Sequence, residues 1–344
     1  MRLLITYLIA LIGSLIFYSL NFPLPWVLGA VFALLLFKIT ISPDVTSSNL
    51  LKQVSFVLLG VQLGLAFTKG TFSEVGPYFF PYLLFSALII VISLFNGYMV
   101  SKWSKIHTDT SMLATIPGGL SASIALSDSL HSNTVLVTIF HTIRLMAVLF
   151  IIPFVATHFL YEGKGLASFA LSEPGGGAWY TIMLYVGCYF LAVKLSSKVP
   201  AAFVIIPMIM VGALQSIGFE MFILPPALFI FAQLTLGVDL GHKVTIKDIQ
   251  KAGKYCFVYL GLSVWLILLS FGFGYVFSRW VGVSFATGVL SVAPGGLLEM
   301  ALTAQSVGGD PAIVSSLQMI RLLIVVIIVP IGLKWFLEKR SYTK

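Results

Sequence analysis

Laid over itself with an offset of 177 residues, the chain places its least replaceable residues on one another without a gap: Pro23 meets Pro200 and Pro153 meets Pro330. Gly60-Val61-Gln62-Leu63-Gly64 meets Gly237-Val238-Asp239-Leu240-Gly241, and Tyr98, Ser101 and Trp103 meet Tyr275, Ser278 and Trp280. Pro117-Gly118-Gly119-Leu120 falls on Pro294-Gly295-Gly296-Leu297, and Ile143-Arg144-Leu145 on Ile320-Arg321-Leu322. Apolar composition could align leucines by accident, but not this set at one offset. The chain is therefore read as an internal duplication, with a first repeat at 1–160, a connecting loop at 161–178 and a second repeat at 179–344.

Each copy consists of apolar runs of membrane length, near 3–20, 24–41, 50–67, 77–100, 110–127 and 134–159, then 179–195, 200–217, 221–241, 255–277, 284–306 and 311–337. A membrane span needs about 20 apolar residues, or somewhat fewer when short. Only 9% of the residues are charged against 59% hydrophobic, where a soluble domain carries about 25% charged residues. The expected fold is all-α, a polytopic integral membrane protein. The run after Met1-Arg2 exceeds a signal-peptide core of about 7–15 residues and lacks an A-x-A site, so it reads as the first span. Cys188 and Cys256 lie far apart in apolar sequence and imply no disulfide framework. The net charge of +8 comes from lysines and arginines at run ends, where topology signals belong. Lys243, Lys247, Lys251 and Lys254 form a basic helical face suited to anionic headgroups. Membrane lipid is an expected partner and nucleic acid is not. The oligomeric state stays open, with a homo-oligomer among the options.

Loop lysines and arginines also bear on the orientation of the copies. Six full spans per copy, in parallel, leave Lys194, Lys198 and the four lysines from Lys243 to Lys254 on the wrong side. If each Pro-Gly-Gly segment enters and returns on one side, each copy has an odd number of spans and the bias becomes strong. Inverted repeats are expected, in a multi-pass protein of a bacterial inner (plasma) membrane.

The interrupted segments are the first candidate site. Proline removes a backbone donor and clashes with the preceding turn, and paired glycines ease departure from helical geometry. Exposed backbone at membrane depth needs cover from protein or a water-filled cavity. Transporters with inverted repeats place such breaks at matching positions of both halves, around a midplane site. A simple kink or close helix crossing is the plainer alternative. Two equivalent breaks, flanked by Thr115, Ser121, Ser123, Ser291 and Thr303, favour a site. Pro117, Gly118, Gly119, Ser121, Pro294, Gly295 and Gly296 are therefore expected to bind substrate.

The helices that follow carry Arg144 and Arg321 deep in apolar sequence. An arginine at a helix centre costs about 2.5–3.5 kcal/mol on insertion scales, so it should face the interior and find a partner. Thr134, Thr138, His141 and Arg144 share one helical face, and Ser315, Gln318 and Arg321 repeat the stripe. The stripe fits a cavity lining, and equally arginines clamping the orphan carbonyls of the break. His141, Arg144, Gln318 and Arg321 join the substrate-binding candidates. Glu299 has Ala122 as its counterpart and is a single intramembrane carboxylate, able to carry a proton or bind Na⁺. Asp239, beside His242-Lys243, is set aside. Scattered histidines, no H-x-x-x-H or His/Cys cluster, no phosphate loop and no Gly-x-Ser-x-Gly give no enzyme signature. No metal and no cofactor is expected.

Together, the duplicated Pro-Gly-Gly-Leu, the Arg-to-Pro helices, and Glu299-Met300 followed by Gly308-Gly309-Asp310-Pro311 resemble the bacterial AbrB-type membrane protein family, over essentially the whole chain. The resemblance implies a duplicated membrane domain related to the cation/proton antiporter and anion transporter superfamily. The first copy departs from the pattern at Ala122 and at His131-Ser132-Asn133-Thr134. Names within the family include an ammonia monooxygenase and a regulator of gene expression, labels that no residue here supplies. The small soluble DNA-binding regulator of the same name is incompatible with this composition. The expectation is a secondary transporter of a small anionic solute coupled to a proton or sodium gradient, with a membrane-embedded regulator or sensor as the alternative.

Overall fold

The computed structural model describes residues 2–41, 44–104, 106–118, 127, 132–160, 176–244 and 253–333. In the first repeat the helices are α1 (Arg2–Ser19), α2 (Pro25–Thr40), α3 (Asn49–Leu65), α4 (Thr71–Trp103), α5 (Thr108–Thr115) and α6 (Thr134–Phe159). The second repeat supplies α7 (Thr181–Leu195), α8 (Ala202–Ile217), α9 (Pro226–Lys243), α10 (Tyr255–Val281), α11 (Phe285–Val292), α12 (Leu297–Val307) and α13 (Pro311–Leu323). Five helical stretches are long and apolar enough to cross a membrane: Arg2–Ser19, Thr71–Trp103, Thr134–Phe159, Tyr255–Val281 and Pro311–Leu333. The protein is an all-helical, polytopic membrane protein. Among the described residues, strand-like pairing is confined to one bridge, Ala178 with Met221.

The duplication extends to backbone conformation. Leu24, before α2, and Ala201, before α8, stand at the same place in their repeats, and both adopt the left-handed region with φ 45° and φ 50°. A residue with a Cβ takes this region only under constraint. Pro23 and Pro200 precede them, and the same entry into a helix is built twice.

Two compact units arise, and neither is a repeat. The first comprises residues 1–77, 153–246 and 301–315, and the second residues 78–152, 247–300 and 316–344. Each takes stretches from both copies.

In the first unit, helices of one repeat pack on helices of the other, twice over. A methyl group at Gly60 of α3 would stand 2.5 Å from Val204 O of α8, and one at Gly64 would stand 2.9 Å from Met208 O. At the mirrored contact a methyl group at Gly237 of α9 would stand 2.7 Å from Val27 O of α2, and one at Gly241 would meet Leu34. Lipid tails give helices no hydrophobic reason to associate, so close backbone approach through small residues supplies the packing energy. The matched Gly-x-x-x-Gly motifs do this here. Val57, Val61 and Val211 fill the core around one crossing, and their equivalents Leu234, Val238 and Leu34 fill the core around the other. Asp239, buried in α9, pairs with Lys52 Nζ at 2.9 Å and Lys243 Nζ at 2.7 Å. Lys38 Nζ donates to the carbonyls of Gly241, His242 and Val244 at 2.8, 2.9 and 2.6 Å, satisfying the end of α9.

The second unit is built around α5 and α11. A methyl group at Gly97 of α4 would stand 2.9 Å from Met112 Cα of α5, and one at Gly274 of α10 would stand closer still to Val289 Cα of α11, the equivalent pair. Tyr259 of α10 stacks on Phe140 of α6 at 3.7 Å and donates its hydroxyl to Ser111 of α5 at 2.7 Å. The helix from Pro311 widens into a π turn at Ile324–Ile328, one turn ahead of Pro330, where the missing N–H interrupts the ladder.

Candidate functional site

Two short helices stop at the same point of their repeats. α5 ends at Thr115 and α11 at Val292; the next residues, Ile116 and Ala293, turn to extended backbone with ψ 124° and ψ 140°. Each is followed by a proline, whose ring drives the preceding residue out of helical geometry. Gly118 then takes φ 93°, while the second repeat resumes at Leu297 as α12. A helix end leaves its last carbonyls without partners, and at membrane depth no water answers them.

Side chains of α6 and α13 answer them instead. Arg144 Nη1 donates to Ile116 O and to Thr115 O, the latter at 3.3 Å. Arg321 Nη1 donates to Ala293 O and Nη2 to Gly295 O. Gln318 Nε2 lies 2.7 Å from Leu290 O, 3.0 Å from Ser291 O and 3.2 Å from Ala293 O. His141 Nε2 lies 3.3 Å from Gly118 O. The polar stripe is thus a clamp on both breaks, and all four side chains are buried.

The same four side chains line a cavity of about 160 Å³ inside the second unit, together with Pro117, Gly118, Leu145, Val148, Pro294, Gly295, Gly296, Leu297 and Leu322. Its wall is paired across the duplication: Pro117 with Pro294, Gly118 with Gly295, His141 with Gln318, Arg144 with Arg321, Leu145 with Leu322. Pro117, Gly118, His141, Arg144, Pro294, Gly295, Gly296, Gln318 and Arg321, candidates named from the sequence, come together in this wall. Gly119, Ser121 and Ser123 lie outside the described residues, as do Lys247 and Lys251 of the basic face.

Glu299 is buried in the first turn of α12, where a negative charge is favoured by the helix dipole. Its carboxylate folds back over Gly296, so that a methyl group there would collide with Oε2. It therefore backs the cavity wall rather than forming it, and is a Coulombic neighbour of Arg321. The flanking hydroxyls serve their own helices: Thr115 Oγ1 bonds Met112 O at 2.9 Å and Ser291 Oγ bonds Thr287 O at 2.7 Å. Asp239, set aside from the sequence, is tied up in its pairs with Lys52 and Lys243.

Leu145, Val148 and Leu322 were not singled out from the sequence. The available signal was spacing, since His141, Leu145 and Val148 follow one helical face, as do Gln318 and Leu322. Lys52 and Lys38 were missed as well, because their partners are distant in sequence.

Two buried guanidinium groups, with Glu299 the one carboxylate near them among the described residues, make this a cationic pocket in a medium that screens poorly. It suits a small anion, and its volume is that of roughly five water molecules in the liquid.

Comparison with known proteins matches residues 1–70 and 26–337 to the family described as "Transition state regulatory protein AbrB". "Uncharacterized protein YhjN" of Bacillus subtilis (strain 168) is 26% identical over 291 residues, 80% of this chain and 75% of that protein. "Putative regulator AbrB" of Escherichia coli (strain K12) is 22% identical over 253 residues, 68% of this chain and 69% of that protein.

Proposed function

The chain belongs to the AbrB family, and on that footing we propose that it is a secondary transporter of a small anionic solute, coupled to a proton or sodium gradient. The observation that carries this reading is a cavity walled by equivalent residues of both repeats, at the point where two helices break. Alternating access needs a site that two similar halves can approach from either side, and duplicated breaks are how membrane transporters build one. Inverted orientation of the repeats, as the loop charges favour, belongs to the same proposal, with the protein threading a bacterial plasma membrane several times.

In this reading Arg144 and Arg321 play two parts. They hold the carbonyl ends of the broken helices, which fixes the cavity's shape, and their charge draws the anion. Glu299, seated behind Gly296 and close to Arg321, carries the coupling ion. When it is charged it competes with the solute for the field of Arg321, and when it is neutralised by a proton or by Na⁺ it releases that field. Solute and ion then enter together without an enzyme's chemistry.

Flux in proteoliposomes tests this, comparing wild type with Arg321→Ala and Glu299→Gln over small carboxylates under imposed proton or sodium gradients. Gradient-driven uptake in wild type, lost in folded Arg321→Ala and uncoupled from the gradient in Glu299→Gln, is the expected outcome. Uptake in Glu299→Gln that still follows the gradient would remove Glu299 from its role. Absence of flux across the panel would favour a second reading, a membrane-embedded regulator acting through a partner. The names given to the family and to the relative from Escherichia coli favour that reading. Altered transcription on gene deletion, with solute fluxes unchanged, would support it.

A further inference from the structure

His141 and Gln318 occupy the same place in the two repeats, and each spends its nitrogen on a carbonyl of its own break. Carbonyls only accept, so His141 Nε2 carries the ring proton, and the neutral ring leaves Nδ1 as an acceptor. Gln318 meets three carbonyl oxygens with one end of its amide. That end must be the NH₂ group, since a flipped amide would set oxygen against oxygen. Its Oε1 is then the free end. His141 Nδ1 and Gln318 Oε1 are both buried without a hydrogen-bond partner, and the two residues are 3% and 1% exposed. One unmatched acceptor is a small defect, but two at equivalent positions in the wall of one cavity form a pattern. Arg144 Nη1 and both Nη groups of Arg321 are turned instead onto Ile116, Ala293 and Gly295.

The cavity thus asks for two things together: negative charge for the guanidinium groups, and hydrogen-bond donors for a pair of acceptors. A simple carboxylate supplies only the first, and a simple cation is repelled by Arg144 and Arg321. Resting on the anion-transport reading above, we propose that the solute is a small carboxylate with an N–H or O–H donor on the adjacent carbon. It is an α-hydroxy or α-amino acid whose donor is held by His141 Nδ1 and Gln318 Oε1, one acceptor from each repeat. A solute of about six heavy atoms matches the 160 Å³ available.

Three acids of equal carbon count decide the matter: lactate, alanine and propionate, titrated calorimetrically against the purified full-length protein in lipid nanodiscs. The adjacent donor should make lactate or alanine bind on the order of tenfold more tightly than propionate, because propionate leaves both acceptors buried and unmatched. Whichever of the two binds tighter tells the hydroxyl source from the ammonium source. In folded His141→Phe, and separately in Gln318→Met, the ratio to propionate should shrink toward one. Wild-type protein that binds propionate as tightly as lactate and alanine overturns the donor proposal and leaves the anion reading standing. Failure of all three to bind, together with no carboxylate flux in proteoliposomes, overturns both.

Discussion

The two compact units use the same duplication for opposite ends. In the first, helices run unbroken past one another, glycines bring backbones into contact, and the buried acid Asp239 is neutralised by two lysines. In the second, helices stop short, and buried arginines answer backbone carbonyls. The comparison shows what costs most inside a membrane. Continuous helices need only shape, so small residues suffice. Interrupted helices expose backbone that must be answered by side chains, and those side chains bring the charge that makes a binding site.

Substitutions can break this contrast or sharpen it. The largest loss of stability is expected from Arg321→Ala, which strands the carbonyls of Ala293 and Gly295, by on the order of 3 kcal/mol. Thermal unfolding in detergent should show Tm falling sharply, with Arg321→Lys intermediate because an ammonium cannot reach two carbonyls as a planar fork does. A Tm close to wild type in Arg321→Ala would mean that the break does not depend on its clamp.

Next come Gly60→Ala and Gly237→Ala in the first unit, each forcing a methyl group onto a backbone carbonyl, at roughly 1–3 kcal/mol. Because the two crossings are equivalent, their Tm losses should agree, and a large inequality would mean that the copies do not pack alike. Gly296→Ala should cost less, since the group in its way is the end of a flexible Glu299 side chain. Its effect should instead fall on coupling, read as gradient dependence of flux in proteoliposomes; unchanged coupling would detach the Glu299 position from transport. The smallest change belongs to Gly187→Ala on α7, where no atom lies within 4 Å of the added methyl group. Its Tm should move by less than a change of about 1 kcal/mol would produce, making it the reference for the other glycine substitutions.

Much of this was legible in the sequence because proline and glycine act locally. Pro117 and Pro294 bend the residue before them whatever surrounds it, so the breaks could be placed from the repeat alone. The stripe of His141, Arg144, Gln318 and Arg321 followed from helical periodicity and from the cost of a buried charge. Packing partners were not legible. Nothing local says that Gly60 meets Val204 rather than Val27, since both stand at the same place in their repeats. The pairing of Lys52 with Asp239 was hidden because the two lie far apart in the sequence. Glu299 could be recognised as a buried acid, but its position behind Gly296 depends on a side-chain rotamer that sequence does not specify.

Neither repeat contains a complete packing unit, and this sets an order of events during synthesis. When the first repeat leaves the ribosome, α3 presents Gly60 and Gly64 to a partner, α8, that has not yet been made. α2 must likewise wait for α9. The early helices therefore sit in the bilayer without their final neighbours until the second repeat is inserted, and the contacts that close both units span well over a hundred residues. Such long-range closure is slow in general. A nascent chain stalled in the connecting segment would be a half-protein with the glycine face of α3 and the Val27 face of α2 both open, each able to take up the other from a second copy, because α3 and α2 stand where α9 and α8 do in the second repeat.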